Sequence, residues 1–221
     1  MNSRRRFLIA AVFVVISGVM SVLAAPELPA RMATHWNAAG QSDGTIPKPV
    51  ALALLPVLTA LLLVMFALAP CIDPLRENIA SFRSVYDWFV VVFTTFMTVI
   101  HGGVIVFNLG YEFDFTLLVL AAVAGLFYYA GVLLEHAERN WFVGIRTPWT
   151  LSSEDVWDRT HRLGSRLFQL TALVALVGLF LGEYAIYFFV VPALLAAGIT
   201  VVYSYYLYEQ LERGSEPDTR E

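Results

Sequence analysis

Residues Arg139–Phe168 read R-N-W-F-V-G-I-R-T-P-W-T-L-S-S-E-D-V-W-D-R-T-H-R-L-G-S-R-L-F and lie between two apolar runs. The stretch holds three of the five tryptophans of the chain and many of its arginines. These two residue types together at the edge of an apolar run are typical of a membrane–water interface, because indole lies across the boundary and guanidinium stays with the headgroups. The pattern predicts an interfacial segment that leads into a membrane helix.

A helix is predicted to begin inside this stretch. Ser152 is the expected N-cap, Asp155 would complete a capping box, and the helix would start at Ser153. Beyond that point apolar residues and arginines fall on different sides at helical spacing. The segment is therefore predicted to be amphipathic until it reaches the apolar run that begins at Leu167.

The composition of the whole chain indicates an integral membrane protein. Of its 221 residues, 58% are hydrophobic and 14% are charged, and the mean hydropathy is +0.68. Too few polar residues remain to cover a soluble globule of this size, so lipid must supply part of the solvent. A single cysteine excludes an intramolecular disulfide framework and a cysteine-rich metal site.

Six apolar runs predict an all-α, six-helix transmembrane bundle. The runs are 7–25, 50–69, 85–107, 115–134, 167–181 and 185–207. The first run follows three arginines and resembles a cleavable twin-arginine export signal, but its length favours a first membrane helix. The fifth run is short by itself, and the amphipathic segment before it would extend the helix.

These runs divide the chain into four regions. An N-terminal module contains helix 1, the loop 26–49 and helix 2; helices 3 and 4 follow, then a region with helices 5 and 6, and last a tail that is predicted to be mobile. The four regions are 1–70, 71–135, 136–208 and 209–221.

The distribution of basic residues predicts the orientation in the plasma membrane. Twelve of the fourteen lysine and arginine residues lie on the side of the N-terminus, whereas the opposite side holds only Arg31 and Lys48. By the positive-inside rule, both termini and the arginine-rich stretch are predicted to be cytoplasmic, and the loop 26–49 extracytoplasmic. We call these the inner and outer sides.

The loop 26–49 is predicted to be compact and ordered. Its prolines interrupt a helix, and its Asn, Asp and Gly residues supply turns around a short aromatic centre. His35 and Asp43 resemble a metal or acid–base pair, but two ligands do not complete a metal site. Hydrogen bonds that hold turns together are the favoured interpretation.

Few ionisable residues lie inside the predicted spans, which disfavours a small-molecule or ion transporter or channel without excluding it. Asp87, near the inner end of the third span, can pair with Arg83. His101 is the one intramembrane candidate. It is interpreted as a neutral histidine that is hydrogen-bonded within the bundle, with a proton relay or a ligand site as the alternative.

Known enzyme signatures are absent, so no catalytic residue and no cofactor is predicted. Glu154, Asp158 and His161 fall four and three residues apart and could share one helix face as metal ligands. Neighbouring arginines favour ion pairs with these carboxylates instead, and no metal is predicted. A membrane-embedded enzyme is the least favoured of the alternatives.

Two motifs resemble those of a known family. The N-terminal module is similar to that of SdpI-family membrane proteins, which reads roughly L-P-x-x-I-P-x-H-F/W-N-x-x-G-x-x-D, although Ala33 replaces the second proline. The arginine-rich stretch resembles the signature N-x-x-x-G-I-R-T-x-x-T-L-x-x-x-x-V-W-x-x-T-H-R. The residues that carry the first match are Leu28-Pro29, 31–40, Asp43-Gly44 and Lys48, and those that carry the second are Asn140, 144–152, Val156-Trp157, Thr160-His161-Arg162 and Gly164.

The resemblance implies a polytopic protein similar to one that gives a bacterium immunity to the secreted SdpC killing peptide. In that system the membrane protein is also a receptor that holds a cytoplasmic autorepressor at the membrane when toxin is bound. For this chain the implied partners are the lipid bilayer, a secreted peptide toxin outside and a small helix-turn-helix repressor inside. Direct binding of nucleic acid is not implied.

Two sets of residues are predicted to bind these partners. The inner patch consists of Asn140, Gly144, Arg146, Thr147, Trp157, Thr160, His161 and Arg162. The outer set consists of His35, Trp36, Asn37, Gly40, Asp43 and Gly44. For the inner patch, anchoring to lipid headgroups and helix docking, with Gly144 serving a turn, is the alternative interpretation.

Overall fold

A computed structural model describes residues 2–37 and 40–215, with side chains as far as residue 211. Within these residues the chain forms eight α-helices, one short 3-10 helix and one two-stranded antiparallel sheet. The helices are α1 (Ser3–Ala24), α2 (Lys48–Ile72), α3 (Arg76–Ser81), α4 (Arg83–Asn108), α5 (Phe115–His136), α6 (Pro148–Ser152), α7 (Glu154–Gly178) and α8 (Tyr187–Ser215). The strands are β1 (Arg31–Trp36) and β2 (Ser42–Pro47), and the 3-10 helix is Gly182–Tyr184.

The long helices confirm the predicted all-α membrane bundle. Five segments are long and apolar enough to cross a membrane, namely α1, α2, α4, α5 and Gly182–Leu211, which includes most of α8. The fifth predicted run falls in α7, which has 25 residues but a polar first half. This chain is a multi-pass membrane protein, and its orientation in the membrane stays a prediction.

Helices α1, α2 and α4 form the N-terminal half of the bundle. α1 packs along α4 and α2, and the hydroxyl of Thr98 donates to the carbonyl of Phe13 at 3.2 Å. The hydroxyl of Ser21 lies 2.7 Å from Nε2 of His101 and 2.9 Å from the carbonyl oxygen of Leu52. This confirms that His101 is hydrogen-bonded within the bundle, and it joins all three helices.

A buried carboxylate holds the inner ends of α1 and α4 together. Asp87 is fully buried and accepts a hydrogen bond from Nε of Arg83 at 2.7 Å, so the predicted pair is confirmed. Arg6 and Ser3 come to the same carboxylate from α1, with Nη1 of Arg6 at 3.7 Å. A buried charge is tolerated only when it is paired, so these contacts fix the N-terminal end of α1 on α4.

Helices α5, α7 and α8 form the C-terminal half. A Cβ at Gly131 of α5 would lie 2.8 Å from the carbonyl oxygen of Ser165, so a glycine is needed where α5 and α7 approach this closely. Further along, Phe127 stacks on Phe168 with ring centroids 4.7 Å apart. α7 lies between α5 and α8 and is the central helix of this half.

The outer loop contains a β-hairpin, which the turn residues alone did not predict. β1 and β2 are antiparallel, Met32 pairs with Ile46, and the register shifts on both sides of His35. Met32 is fully buried whereas the β2 residues are mostly exposed. The irregular register interrupts the two-residue alternation by which a strand is recognised.

The predicted start of the amphipathic helix is wrong by one residue. Ser153, and not Ser152, is the N-cap of α7, and its hydroxyl accepts a hydrogen bond from the amide of Val156 at 3.4 Å. Thr147 and Thr150 form a capping box that begins α6, and α6 continues through Ser152. Ser152 is therefore already helical, and its hydroxyl donates to Pro148 O at 2.6 Å.

Candidate functional site

The connection between α5 and α7, residues 137–153, contains most of the signature motif and is called the signature loop below. Its first turn is built around Asn140, whose side chain is fully buried. The Oδ1 of Asn140 accepts from the amides of Phe142 and Val143, at 2.9 and 2.6 Å. Its Nδ2 donates to the carbonyls of Glu138 and Val143, at 2.8 and 2.9 Å. One amide side chain therefore replaces the backbone pairing that this turn lacks.

The loop closes over two stacked rings of α7. Trp157 is fully buried, donates from Nε1 to the carbonyl of Ala137 at 2.6 Å and stacks on His161 with ring centroids 3.9 Å apart. Gly144 lies against both rings, and a Cβ there would be 2.3 Å from Nε2 of His161. The backbone of Gly144 also has a φ of +123°, which glycine adopts without strain and other residues do not. Position 144 therefore requires glycine for two independent reasons.

Both ring nitrogens of His161 are used inside the protein. Nδ1 lies 2.8 Å from the carbonyl of Trp157, and Nε2 accepts from the amide of Ile145 at 3.0 Å. These contacts fix a neutral imidazole with its proton on Nδ1. His161 lies in the amphipathic part of α7, before the apolar run at Leu167, and burial lowers its pKa from 6.5 to about 4. The ring holds the loop in place and is not available as a metal ligand or surface base.

Two threonines fasten the other end of the loop. Thr147 caps α6, and its hydroxyl lies 3.1 Å from the hydroxyl of Ser204 on α8. The hydroxyl of Thr150 donates to the carbonyl of Ile145 at 2.8 Å. Thr160 of α7 is also fully buried, and its Oγ1 has no hydrogen-bond partner among the described residues. All three threonines of this motif therefore face the protein interior.

The signature loop is also tied to the N-terminal half by two residues that the sequence did not single out. Asp73, which is 2% exposed at the end of α2, accepts from the amide of Trp141 at 2.9 Å. Asn78 of α3 donates to the carbonyl of Arg139 at 2.7 Å. A side chain that pairs with a backbone more than 60 residues away carries no local sequence signal.

Only two members of the predicted inner patch are exposed side chains. Arg146 is exposed, and its Nη1 donates to the carbonyl of Trp141 at 2.6 Å. Arg162 is exposed on α7. Trp141 and Phe142, which the prediction left out, are 52% and 40% exposed beside Arg146. The structure thus divides the inner patch into buried residues that shape the loop and a few exposed cationic and aromatic side chains.

The outer hairpin is anchored on the bundle by its aromatic and backbone groups. Trp36 stacks on Phe115 with ring centroids 3.7 Å apart and meets the edge of Phe107. Asn108, at the end of α4, accepts from the amide of Ala33 at 2.7 Å and donates to the carbonyl of the same residue at 3.0 Å. The side chain of Asn108 therefore fixes the backbone of β1, and the ring of Trp36 packs between the hairpin and the bundle.

The end of the first membrane helix is capped from the far side of the hairpin. The ammonium group of Lys48 donates to the carbonyls of Ala25 and Leu28, each at 2.9 Å. Carbonyls at a helix C-terminus lack partners within the helix and attract a cation. Lys48 thereby joins the start of α2 to the end of α1 beneath the sheet.

The remaining members of the outer set lie at the free end of the hairpin. The side chains of His35 and Asp43 are 71% and 44% exposed, and Nδ1 of His35 lies 2.5 Å from the carboxylate of Asp43. Asn37 accepts from the amide of Gln41 at 3.0 Å and Gly40 has a φ of +75°, so both shape the turn. A Cβ at Gly44 would lie 2.9 Å from Cβ of His35. The predicted turn-stabilising hydrogen bond between His35 and Asp43 is present on an exposed surface.

Among the residues that the structure describes, no group of three or more His, Cys, Asp or Glu side chains could hold a metal ion. Glu154 does not turn toward His161, because it pairs with Nη2 of Arg139 at 3.2 Å. The alternative of three shared metal ligands on α7 therefore has no geometric support.

Comparisons with known proteins match both of these regions. A family model described as the SdpI/YfhL protein family matches residues 136–204, and one described as Domain of unknown function (DUF1648) matches residues 12–60. The chain is also similar to the Immunity protein SdpI of Bacillus subtilis (strain 168). The two are 24% identical over 208 residues, which cover 94% of this chain and 98% of that protein. No solved structure matches.

Proposed function

We propose, from the premise that this chain is a membrane protein of the SdpI family, that it protects its cell against a membrane-active peptide. The observation that carries the proposal is the similarity to the Immunity protein SdpI along 94% of the chain. That similarity includes both the outer hairpin and the signature loop, and not the apolar helices alone. Protection of this kind is a binding function and requires no catalytic group.

The outer hairpin is the proposed contact site for the peptide. Its backbone is fixed by Asn108 and by the stack of Trp36 on Phe115, so binding needs little ordering of the loop. On this fixed backbone the side chains of His35 and Asp43 are exposed. A peptide that approaches the outer leaflet would meet these polar groups together with the aromatic side chains beneath them.

Expression of this chain in a sensitive bacterium tests the protective function. Bacillus subtilis cells that lack their own SdpI are expected to survive exposure to the secreted SdpC peptide when they produce this chain. Survival should be counted for that peptide and for a panel of other membrane-active peptides, because the matching toxin can differ between relatives. Unchanged killing by every peptide, with the protein inserted in the membrane, would contradict the proposal.

Exposed residues of the hairpin separate recognition from folding. His35→Ala and Asp43→Asn are expected to reduce survival while the amount of inserted protein and its melting temperature stay nearly unchanged, since the hydrogen bond between these two side chains is exposed and contributes about 1 kcal/mol or less. Glu112→Gln is the matched control, because Glu112 is an exposed acid in the neighbouring α4–α5 loop. If all three variants survive as well as the wild type, the hairpin is not the contact site for the peptide.

We also place signalling within the proposal, with a small helix-turn-helix repressor as the partner on the inner side. Arg146 and Arg162 are exposed guanidinium groups, and such groups bind carboxylates of a soluble protein through paired hydrogen bonds. Arg162→Gln and Arg146→Gln should release a fluorescent repressor from the membrane without loss of survival. Arg76→Gln, an exposed arginine at the start of α3, is the control. If the repressor never localises to the membrane in cells that produce the wild-type chain, the signalling part of the proposal is wrong and only the protective function is left.

A further inference from the structure

A cavity of about 250 Å³ lies beneath the signature loop. Its walls come from both halves of the bundle, with Phe66 of α2 and Tyr86 of α4 on one side and Phe168 of α7 on the other. Residues 142–145 of the signature loop form the roof, and Ala130 of α5 lies in the wall. The cavity is thus placed where the two halves of the protein meet.

The inside of the cavity is apolar. Its lining consists of aliphatic and aromatic side chains and a glycine, and the one side-chain hydroxyl among them, that of Tyr86, already donates to the carbonyl of Phe66 at 2.6 Å. A water molecule needs two to four polar partners, and apolar cavities of this kind take apolar guests. The cavity is therefore shaped for a hydrocarbon group.

A cation and two aromatic side chains lie at the edge of the roof. Arg146 is exposed and donates from Nη1 to the carbonyl of Trp141, which is next to the lining residue Phe142. Trp141 and Phe142 are 52% and 40% exposed. Exposed aromatic rings with an arginine are typical of the headgroup level of a bilayer, and Arg146 directly follows Ile145 of the cavity lining.

The cavity lies between Phe66 of α2 and Phe168 of α7, two helices that are not closely packed on each other. Among the described residues, α2 packs mainly on α1 and α4, whereas α7 packs mainly on α5 and α8. The wall between Phe66 and Phe168 is therefore made by side chains and not by a closely packed pair of helices. Since Phe66 and Phe168 both lie in apolar runs of the predicted membrane helices, an acyl chain is the apolar group that would be available to this gap in a membrane.

We propose that one anionic phospholipid binds here, with part of an acyl chain in the cavity and its phosphate at Arg146. A guest for this place must be apolar at one end and negatively charged at the other, and must arrive through the membrane, and an anionic phospholipid meets all three conditions. Bound in this way, the lipid would fill the contact between the two halves directly under the signature loop. The proposal goes beyond protection against a peptide and does not depend on it.

Thermal unfolding of the purified full chain in dodecyl maltoside tests the proposal. Dioleoylphosphatidylglycerol is expected to raise the melting temperature by about 5 °C at saturation, and dioleoylphosphatidylcholine by clearly less. Arg146→Gln should increase the phosphatidylglycerol concentration needed for half of the shift by about tenfold. Arg159→Gln, which changes an exposed arginine of α7 outside the cavity lining, should leave that concentration unchanged.

A matched pair of substitutions on α5 tests where the acyl chain lies. Ala130→Phe would fill the cavity and should abolish the phosphatidylglycerol shift. Ala121→Phe adds the same volume nine residues earlier, in an exposed groove between α4 and α5, and should keep the shift. If Ala130→Phe does not fold, Arg146→Gln decides alone, since its side chain is exposed. Equal effects of both lipids, an unchanged shift in Arg146→Gln, or loss of the shift in Ala121→Phe would overturn the proposal.

Discussion

The signature loop and the outer hairpin are two ordered connections of similar length, but they are stabilised in opposite ways. In the signature loop the polar side chains are buried and bind the backbone, as Asn140 and His161 do. In the hairpin the anchors are the apolar ring of Trp36 and the backbone of Ala33, which Asn108 of the bundle binds, and polar side chains such as His35 and Asp43 are exposed. The comparison teaches that the inner motif mainly encodes an architecture, whereas the outer motif leaves polar side chains exposed at the protein surface.

Cysteine labelling in intact cells sharpens this comparison most, because its outcome is all or none. In a Cys71→Ser background, Gln41→Cys in the hairpin is expected to react with a membrane-impermeant maleimide, since the positive-inside rule places it outside. Asp158→Cys on α7 should react only after the membrane is permeabilised. Both original side chains are exposed, so access to the reagent is comparable. The reverse pattern would exchange the inner and outer sides.

The largest difference in stability is expected between two glycines. Gly144→Ala should cost about 3 kcal/mol or more, because the φ of +123° is strained for alanine and the new Cβ would lie 2.3 Å from Nε2 of His161. At Gly40 in the hairpin φ is +75°, but an added Cβ would lie 3.5 Å from its nearest neighbour, Oγ1 of Thr116, which is an ordinary contact distance. Gly40→Ala should therefore cost only the backbone strain of about 1 kcal/mol. Melting temperatures in detergent measure both. Gly198→Ala is the control, because a Cβ added at this helical glycine would have no neighbour within 4 Å. An equal loss of stability in all three variants would mean that the contact between residue 144 and the ring of His161 does not matter.

Acid should weaken the signature loop through His161. The pKa of His161 is about 4 when folded and 6.5 ordinarily, so below pH 6.5 the unfolded chain binds the proton first. Stability is therefore expected to fall as the pH decreases from about 6.5 to 4, by about 3 kcal/mol in total. His161→Gln should be less stable at pH 7 but lose less on acidification. Parallel pH profiles for the variant and the wild type would show that the loop does not depend on this ring.

Two asparagines give a smaller difference in the same direction. Asn140→Ala removes four hydrogen bonds from a fully buried site and should cost about 2–4 kcal/mol. Asn108→Ala removes the hydrogen bonds to the amide and carbonyl of Ala33 and to the carbonyl of Val104. These groups are only partly buried, so the substitution should cost about 1–2 kcal/mol. Thermal unfolding compares them. A greater loss for Asn108→Ala would mean that the hairpin, and not the signature loop, is the more firmly built connection.

Much of the fold could be predicted from local patterns. Apolar runs marked all six long helices, although the run in α7 is by itself shorter than a bilayer crossing, and the contacts of Asp87 with Arg83 and of His101 with a neighbouring helix followed from their places in those runs. The hairpin was missed because its strands are short and shift register at His35. The helix start was missed by one residue because Ser152 and Ser153 are chemically equivalent caps, and only the preceding turn of α6 decides between them.

The candidate site was predicted less completely, for a physical reason. A motif reports which residues occur together but not which way each side chain points, so buried Thr160 and exposed Arg162 belonged to the same patch. Asp73 and Asn78 were missed because their partners in the signature loop are distant in sequence. The orientation of a side chain depends on the helix that covers it, and no pattern within the loop contains that information.

Lys48 is the single lysine of the chain, and its ammonium group is occupied by the carbonyls of Ala25 and Leu28. Apart from a terminal amine, an amine-selective acylating reagent therefore finds one side-chain amine in the whole polypeptide. The rate at which that amine reacts reports how often the hairpin separates from the end of α1. The sequence thus carries its own single-site chemical probe of the outer surface, and no engineered label is needed to follow it.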